Sequence, residues 1–141
     1  MTPVGPPATT VGAEGAARLT SNVIDTALEV IGTPYVWGGT DENGFDCSGL
    51  IQYAYAYHGI QLPRVSRDQI RAGREVVPRV EALLPGDILG FTRERSRTVS
   101  HVGLYVGKGL FIHSGSSGVQ VSDLNDPYWR EHIVAATRIV R

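Results

Sequence analysis

The residues with the greatest chemical potential in this sequence are one cysteine and two histidines. Cys47 is the only cysteine of the chain and stands at the predicted start of an amphipathic helix. Unpaired backbone N–H groups at a helix start lower the pKa of a thiol and so favour the nucleophilic thiolate. A lone cysteine forms no disulfide within its chain, so its role is packing, metal binding or chemistry.

Two histidines later in the chain are the candidate partners of this thiol. His101 and His113 lie on predicted strands joined by a tight turn at residues 107–109. Pairing across that turn places His101 about opposite residue 115, so the two imidazoles share one face and one end of the hairpin. Hydrolysis by a cysteine needs a thiolate, a base that exchanges its proton and a polar group that orients the base. Cys47, His101 and His113 can supply all three if the Cys47 helix packs against that end of the hairpin.

Each of these residues also has an ordinary structural interpretation. A single cysteine is most often an inert apolar residue, and a strand histidine most often packs or lies at the surface. A metal site is disfavoured because the sequence lacks a close ligand pair such as Cys-x-x-Cys or His-x-x-x-His. We therefore predict no metal and no cofactor. The remaining histidines, His58 and His132, are assigned to a helix end and to the surface.

The elements that must position these residues follow an α+β pattern, with helices first and an antiparallel sheet second. Apolar residues at helical spacing predict a helix over residues 22–31, and the Cys47 helix is expected to extend to about residue 58. Short strands separated by glycine-rich turns are predicted at residues 88–91, 102–106, 110–113, 119–121 and 134–140. This order predicts helices packed on an antiparallel sheet.

Length and composition fit one globular domain of 141 residues, with 42% hydrophobic and 19% charged residues. The net charge of −1 and the lack of a basic patch argue against a nucleic-acid partner. No apolar run approaches the roughly 20 residues of a membrane-spanning helix. Residues 1–17 are rich in Pro, Gly, Ala and Thr, which predicts a flexible linker or tail without signal-peptide features. Residues 18–141 are the predicted domain.

Several short motifs occur in a fixed order and carry a family resemblance. They are TPYVWGG (33–39), GFDCSGL (44–50), LPR (62–64), PGD (85–87), HVGLYVG (101–107) and FIH (111–113). Together they closely resemble the NlpC-type family of bacterial cell-wall cysteine peptidases, over roughly residues 22–141. The resemblance implies a papain-like fold in which N-terminal helices pack on a central antiparallel sheet.

The same resemblance implies roles for individual residues. Cys47 would be the nucleophile, His101 its base and then its acid, and His113 the residue that orients His101. Four residues near the nucleophile would bind substrate or the oxyanion: Tyr35, Asp46, Ser48 and Arg64. Asp46 has a competing role as the N-cap of the Cys47 helix, and the sequence leaves both roles open.

The implied activity is hydrolysis of peptide bonds in peptidoglycan stems, typically the bond that joins D-γ-glutamate to a diamino acid. The implied substrate is peptidoglycan or a muropeptide, with an upstream domain or targeting partner, and the implied location is the bacterial envelope or outside the cell. Three other interpretations stay open. They are a papain-like amidase or acyltransferase acting on another amide or ester, a catalytically silent binding module, and a secreted antibacterial toxin with the same chemistry.

Overall fold

The structure is a computed structural model that describes residues 12–93 and 96–140. Its helices are α1 (Ala13–Leu28), α2 (Cys47–Ala56), α3 (Ser66–Gln69) and α4 (Pro127–His132). Its strands are β1 (Thr40–Asp41), β2 (Gly44–Phe45), β3 (Arg74–Val76), β4 (Ile88–Phe91), β5 (His101–Gly107), β6 (Leu110–Gly115), β7 (Gly118–Asp123) and β8 (Ile133–Arg138). In these parts of the chain, no helix is long and apolar enough to cross a membrane.

Within the described residues, six strands form an antiparallel sheet in the order β3-β8-β4-β5-β6-β7. Strands β1 and β2 pair separately, in a short hairpin just before α2. The helices and the antiparallel sheet confirm the predicted α+β class. Strands β5, β6 and β7 form a meander, in which Leu104 lies opposite Ile112 and Tyr105 opposite Phe111. This register agrees with the pairing predicted for the two histidines.

The tight turn between β5 and β6 is formed by residues with left-handed backbone. Gly107, Lys108 and Gly109 have φ values of 104°, 55° and 80°. Glycine adopts positive φ without steric cost, which explains the two glycines that flank Lys108. The turn therefore fixes the hairpin register that brings His101 near His113.

Helix α1 begins earlier than the sequence predicted. Residues 13–17, which we expected in a linker, are helical, because alanine and glutamate in this stretch are strong helix formers. The helix also buries Val23, Ile24 and Ala27 against the core, and this packing stabilises the whole element. The other residues of the predicted linker, apart from Gly12, lie outside the described residues.

The core consists of two apolar clusters, one on each face of the sheet. The first cluster joins α2 to the central strands through Leu50, Ile51, Ala54, Ile88, Leu104 and Ile112, which are fully buried. Burying one such aliphatic side chain contributes about 1.5–3 kcal/mol, so this cluster fixes α2 on the sheet. The second cluster contains Leu89, Phe91, Tyr105 and Phe111, with Trp129 of α4 packed against it.

Strand β3 and helix α4 were not predicted from the sequence. Strand β3 is a short, largely exposed strand that pairs with β8. Helix α4 has six residues, with Pro127 at its first turn and the Asp126 carboxylate accepting the N–H of Tyr128 at 2.9 Å. An aspartate followed by proline is a helix-start signal, so the sequence did contain a cue for α4.

A buried ion pair joins the PGD motif to strand β8. Asp87 is 1% exposed, and its two carboxylate oxygens accept hydrogen bonds from Nε and Nη2 of Arg138, both at 2.8 Å. The same carboxylate accepts the backbone N–H of Leu84 at 2.8 Å. Arg138 also donates to the carbonyl of Ala82 at 3.0 Å. The pair therefore holds the turn before β4 against β8.

Candidate active site

An open cavity of about 1010 Å³ lies where the N-terminus of α2 meets the start of β5 and the end of β6. Cys47, His101 and His113 all line it. Its wall also contains the four residues predicted to surround the nucleophile: Tyr35, Asp46, Ser48 and Arg64. The structure thus brings every predicted site residue to one cavity, while their individual roles stay predictions.

The Cys47 turn is held by a side-chain cap. Asp46 is the N-cap of α2, and its Oδ1 accepts the backbone N–H of Gly49 at 2.6 Å. A side chain at position 49 would collide with the Gly39 carbonyl and the Asp46 carboxylate, so the close approach requires glycine here. Of the two roles left open for Asp46, the structure shows the capping role, and the substrate contact stays a prediction.

Arg64 and Ser48 complete a polar network around that cap. Arg64 Nη2 donates to Asp46 Oδ2 at 2.7 Å, and Nη1 donates to Oδ1 at 3.1 Å and to Ser48 Oγ at 2.9 Å. The side chains of Arg64 and Asp46 are 35% and 15% exposed. This bidentate geometry fixes a cation and an anion side by side in the cavity wall.

A buried glutamine, which the sequence analysis did not identify, supports this network from behind. Gln69 is fully buried, and its Nε2 donates to the carbonyls of Ser48 and Pro63, both at 2.9 Å. It therefore links the first turn of α2 to the segment that carries Arg64. Both contacts depend on tertiary packing, so no local sequence pattern indicates them.

The two histidines are hydrogen-bonded to each other. His101 Nε2 lies 2.9 Å from His113 Nδ1, and the two rings are nearly perpendicular at 87°. His113 Nε2 lies 2.8 Å from Ser122 Oγ on β7. Trp129 stacks on His101 with 5.9 Å between ring centroids and contacts His113 edge-on at 5.0 Å. This arrangement leaves Nδ1 of His101 as the ring nitrogen that can exchange a proton with a thiol.

Burial makes both imidazoles neutral at pH 7. It lowers the pKa of His101 to about 4, with a further contribution from the positive charge of Arg93. It lowers the pKa of His113 to about 3, with a further contribution from His101. A neutral His101 is able to accept a proton, which a general base must do.

The Cys47 thiol differs from the expectation drawn from its helix position. Burial raises the pKa of Cys47 above its usual value and outweighs the backbone N–H groups of Val102 and Ser48, which hydrogen-bond to the sulfur and lower the pKa. The nearby charge of Asp46 raises the pKa further. The predicted net lowering is therefore wrong, because desolvation of the thiolate dominates. The free site pairs a thiol with a neutral imidazole, and the proton must move during attack.

These depressed histidine pKa values predict that stability falls as the pH is lowered. An unfolded histidine titrates near 6.5, whereas folded His101 and His113 have pKa values of about 4 and about 3. Between these pH values the unfolded chain binds protons that the folded chain does not. The contribution of the two histidines to the free energy of unfolding is therefore complete above pH 6.5 and is lost as the pH falls toward their folded pKa values. We expect a loss of about 2 kcal/mol per histidine between pH 7 and pH 5, measured by urea unfolding.

A variant separates this effect from the titration of carboxylates. His113→Asn removes one of the two titrating rings and keeps hydrogen-bonding atoms at that position. About half of the pH dependence between pH 7 and pH 5 should remain in this variant. An unchanged slope in the variant would show that His113 does not titrate differently in the folded and unfolded chain.

Tyr35 is held beside the nucleophile by backbone pairing with β2. The N–H of Phe45 donates to the Pro34 carbonyl at 3.1 Å, and the N–H of Val36 donates to the Phe45 carbonyl at 3.2 Å. Burial raises the pKa of Tyr35, and the charge of a Cys47 thiolate raises it further. The phenol therefore keeps its proton and is a hydrogen-bond donor near the sulfur.

A thiol at a helix N-terminus, beside a hydrogen-bonded imidazole pair on an antiparallel sheet, defines the class of papain-like cysteine hydrolases. The model of the NlpC/P60 family matches residues 32–138 of the chain. The chain belongs to the NlpC/P60 family. This membership confirms the resemblance predicted from the motifs and the papain-like fold class.

Several relatives of the chain are named as endopeptidases. The chain is 43% identical over 129 residues to the bifunctional muramidase/DL-endopeptidase CwlT of Bacillus subtilis, covering 89% of this chain and 38% of that protein. It is 37% identical over 128 residues to the murein DD-endopeptidase MepH of Escherichia coli, covering 87% of this chain and 47% of that protein. The chain thus spans less than half the length of these curated relatives.

A solved structure supports the same assignment. An NlpC/P60 family protein from Bacillus cereus superposes with a TM-score of 0.81 and 37% sequence identity. The superposition covers 86% of this chain and 40% of that chain. The residues matched by the family model, 32–138, include α2 and the β5–β7 meander, so fold and sequence agree on the family.

Proposed function

We propose that this chain is the catalytic domain of a cysteine endopeptidase that hydrolyses peptidoglycan stem peptides. The observation that carries the proposal is the cavity in which Cys47 lies with a hydrogen-bonded pair of neutral imidazoles, His101 and His113. The family relatives named as endopeptidases support the substrate class. In this mechanism Cys47 is the nucleophile, His101 the base and then the acid, and His113 the orienting residue.

The first half of the reaction forms a thioester. The sulfur of Cys47 attacks the scissile carbonyl carbon while Nδ1 of His101 takes the thiol proton. The oxyanion is held by the backbone N–H of Cys47 at the helix start and by the hydroxyl of Tyr35. When the C–N bond breaks, His101 returns the proton to the leaving amine.

The second half regenerates the thiol. Nδ1 of His101 takes a proton from a water molecule, whose oxygen attacks the thioester carbonyl. The C–S bond breaks, the carboxylic acid product leaves and the sulfur recovers a proton from His101. Throughout both halves, the hydrogen bond between His101 and His113 keeps the reactive nitrogen directed at the sulfur.

We infer that the scissile bond joins D-γ-glutamate to the diamino acid of the stem. This bond links a D-centre to an L-centre, and the relative CwlT is named a DL-endopeptidase. The network of Asp46, Ser48 and Arg64 supplies an acceptor for the amine or amide groups of the stem and a cation for its carbonyl or carboxylate oxygens. Tyr35 borders the same wall and completes the proposed binding surface.

The test is cleavage of defined muropeptides, with Cys47→Ala as the matched inactive control. Each protein is incubated with a monomeric stem peptide that contains the diamino acid and with a cross-linked dimer, and the products are identified by mass. We expect a fragment that ends in D-glutamate and a second fragment that begins with the diamino acid. Conversion of dimer to monomer alone would instead assign the DD activity named for MepH.

Activity assays with other amides and esters, with Cys47→Ala as the inactive control, distinguish the remaining alternatives. Cleavage of one of these substrates without muropeptide cleavage would favour an amidase or acyltransferase. Muropeptide binding without turnover of any substrate would favour a silent binding module. Because the proposed substrate lies in the cell wall, we further propose that the domain acts in the bacterial envelope or outside the cell, in a housekeeping or antibacterial role.

A further inference from the structure

The hydrogen-bonded chain of the site extends one residue beyond the two histidines. Ser122 Oγ lies 2.8 Å from His113 Nε2, and Ser122 borders the catalytic cavity. In the β6–β7 pairing, His113 lies opposite Gln120 and Phe111 opposite Ser122, so Ser122 is the diagonal neighbour of His113 on the same face. The His113 side chain is buried, with 2% of the residue exposed, which shields this hydrogen bond from solvent.

The contacts of the rings link their tautomers. For His101 to act as a base through Nδ1, its single ring proton must lie on Nε2, where it is donated to His113 Nδ1. His113 must then carry its own proton on Nε2, and that N–H needs an acceptor. Ser122 Oγ is the acceptor at that position. The opposite set of tautomers would place a proton on His101 Nδ1, which could then take none from the thiol.

We propose that Ser122 is a positioning residue that accepts the Nε2–H of His113 and thereby holds His101 in the tautomer that can deprotonate Cys47. Without the hydroxyl, the Nε2–H would be a buried donor with no partner, which costs more than a bare ring nitrogen. The proton of His113 would then move to Nδ1, and His113 would donate to Nε2 of His101. His101 would in turn carry its proton on Nδ1 and could not accept one from the thiol. The inference rests on the proposed function and extends the predicted triad by one residue.

The groups around the two imidazole rings favour their neutral forms. His113 is faced by His101 from β5, by Trp129 from α4 and by Ser122 from β7, and the positive charge of Arg93 acts on His101. Ser122 is thus a neutral acceptor as the last member of the hydrogen-bonded series, whereas the last member in a serine protease is a carboxylate. A neutral acceptor selects a tautomer without favouring the imidazolium, so His113 keeps a single ring proton and stays neutral.

The test compares two substitutions of the same shape. Ser122→Val and Ser122→Thr differ only in a methyl group in place of the hydroxyl, and both β-branched residues suit a strand. We expect kcat for muropeptide cleavage to fall about 10- to 100-fold in Ser122→Val, with KM little changed, and to stay within about 3-fold of the starting value in Ser122→Thr. Val121→Ala, on the opposite face of β7, is the control for strand integrity and should leave kcat unchanged.

Nitrogen NMR of histidine-labelled protein reads the tautomers directly. The chain contains four histidines, and His113→Gln assigns the His113 signals by their loss. We expect Nε2-protonated His113 in the unsubstituted protein and in Ser122→Thr, and Nδ1-protonated His113 in Ser122→Val. Equal kcat in Ser122→Val and Ser122→Thr, or the same His113 tautomer in both, would overturn the inference. Failure of the unsubstituted protein to cleave muropeptides would instead contradict the proposed function, while the NMR result would still decide the role of Ser122.

Discussion

Replacing His101 with alanine is expected to lower kcat/KM for the muropeptide by about 10³- to 10⁴-fold, whereas His113→Ala lowers it by about 10- to 100-fold. In the proposed mechanism, His101 exchanges the proton with the thiol, the leaving amine and the attacking water, so its loss affects every step. In the same mechanism, His113 acts only through its 2.9 Å contact with His101. A neutral imidazole is also a weaker orienting group than the carboxylate of a serine triad.

Steady-state kinetics with a defined stem peptide measure both variants, and circular dichroism confirms that each is folded. His58→Gln is the matched control, because His58 is hydrogen-bonded to Thr26 and does not line the catalytic cavity. Its kcat/KM should equal that of the unsubstituted protein. If His113→Ala lost as much activity as His101→Ala, His113 would have to take part in proton transfer itself, and the proposed division of roles would be wrong.

Asp87→Ala is expected to lower the free energy of unfolding by about 3–5 kcal/mol, the largest loss of stability among single substitutions considered for this fold. The substitution leaves the Arg138 guanidinium, whose side chain is 13% exposed, without its counter-charge. It also leaves the backbone N–H of Leu84 without its acceptor. Asp87 does not line the catalytic cavity, so the variant should keep its kcat/KM at temperatures where it remains folded.

Urea unfolding at pH 7 measures this effect. Asp25→Ala, at an exposed position of α1, is the control and should change stability by no more than about 0.5 kcal/mol. The double variant Asp87→Ala with Arg138→Met should be more stable than Asp87→Ala alone, because the uncompensated charge is removed. A loss below about 1 kcal/mol in Asp87→Ala would mean that solvent replaces the ion pair.

The parts of the site that could be predicted from sequence depend on local rules. The register of the His101–His113 hairpin follows from its glycine turn and from the two-residue period of a strand. The position of Cys47 follows from the Asp46 cap and the apolar spacing of α2. Such signals lie within a few residues of the group they place, so a single sequence contains them.

The parts that could not be predicted depend on contacts between distant segments. Trp129 reaches the histidines only because α4 packs on the second face of the sheet. Nothing in the local sequence distinguishes Gln69 and Ser122 from other polar residues. Their contacts with Pro63 and His113 form only in the folded structure. The raised pKa of the Cys47 thiol has the same origin, because the desolvation that outweighs the helix start comes from the packed surroundings of the sulfur.

That raised thiol pKa has a consequence for how the enzyme withstands oxidants. Susceptibility to peroxide follows thiolate character, and the first product, a sulfenic acid, is rescued when a second thiol traps it as a disulfide. This chain contains one cysteine and so carries no resolving thiol of its own. In the proposed mechanism, the Cys47 thiol stays protonated between turnovers. Peroxide should therefore form the irreversible sulfinic and sulfonic products mainly during turnover, when the thiolate is present.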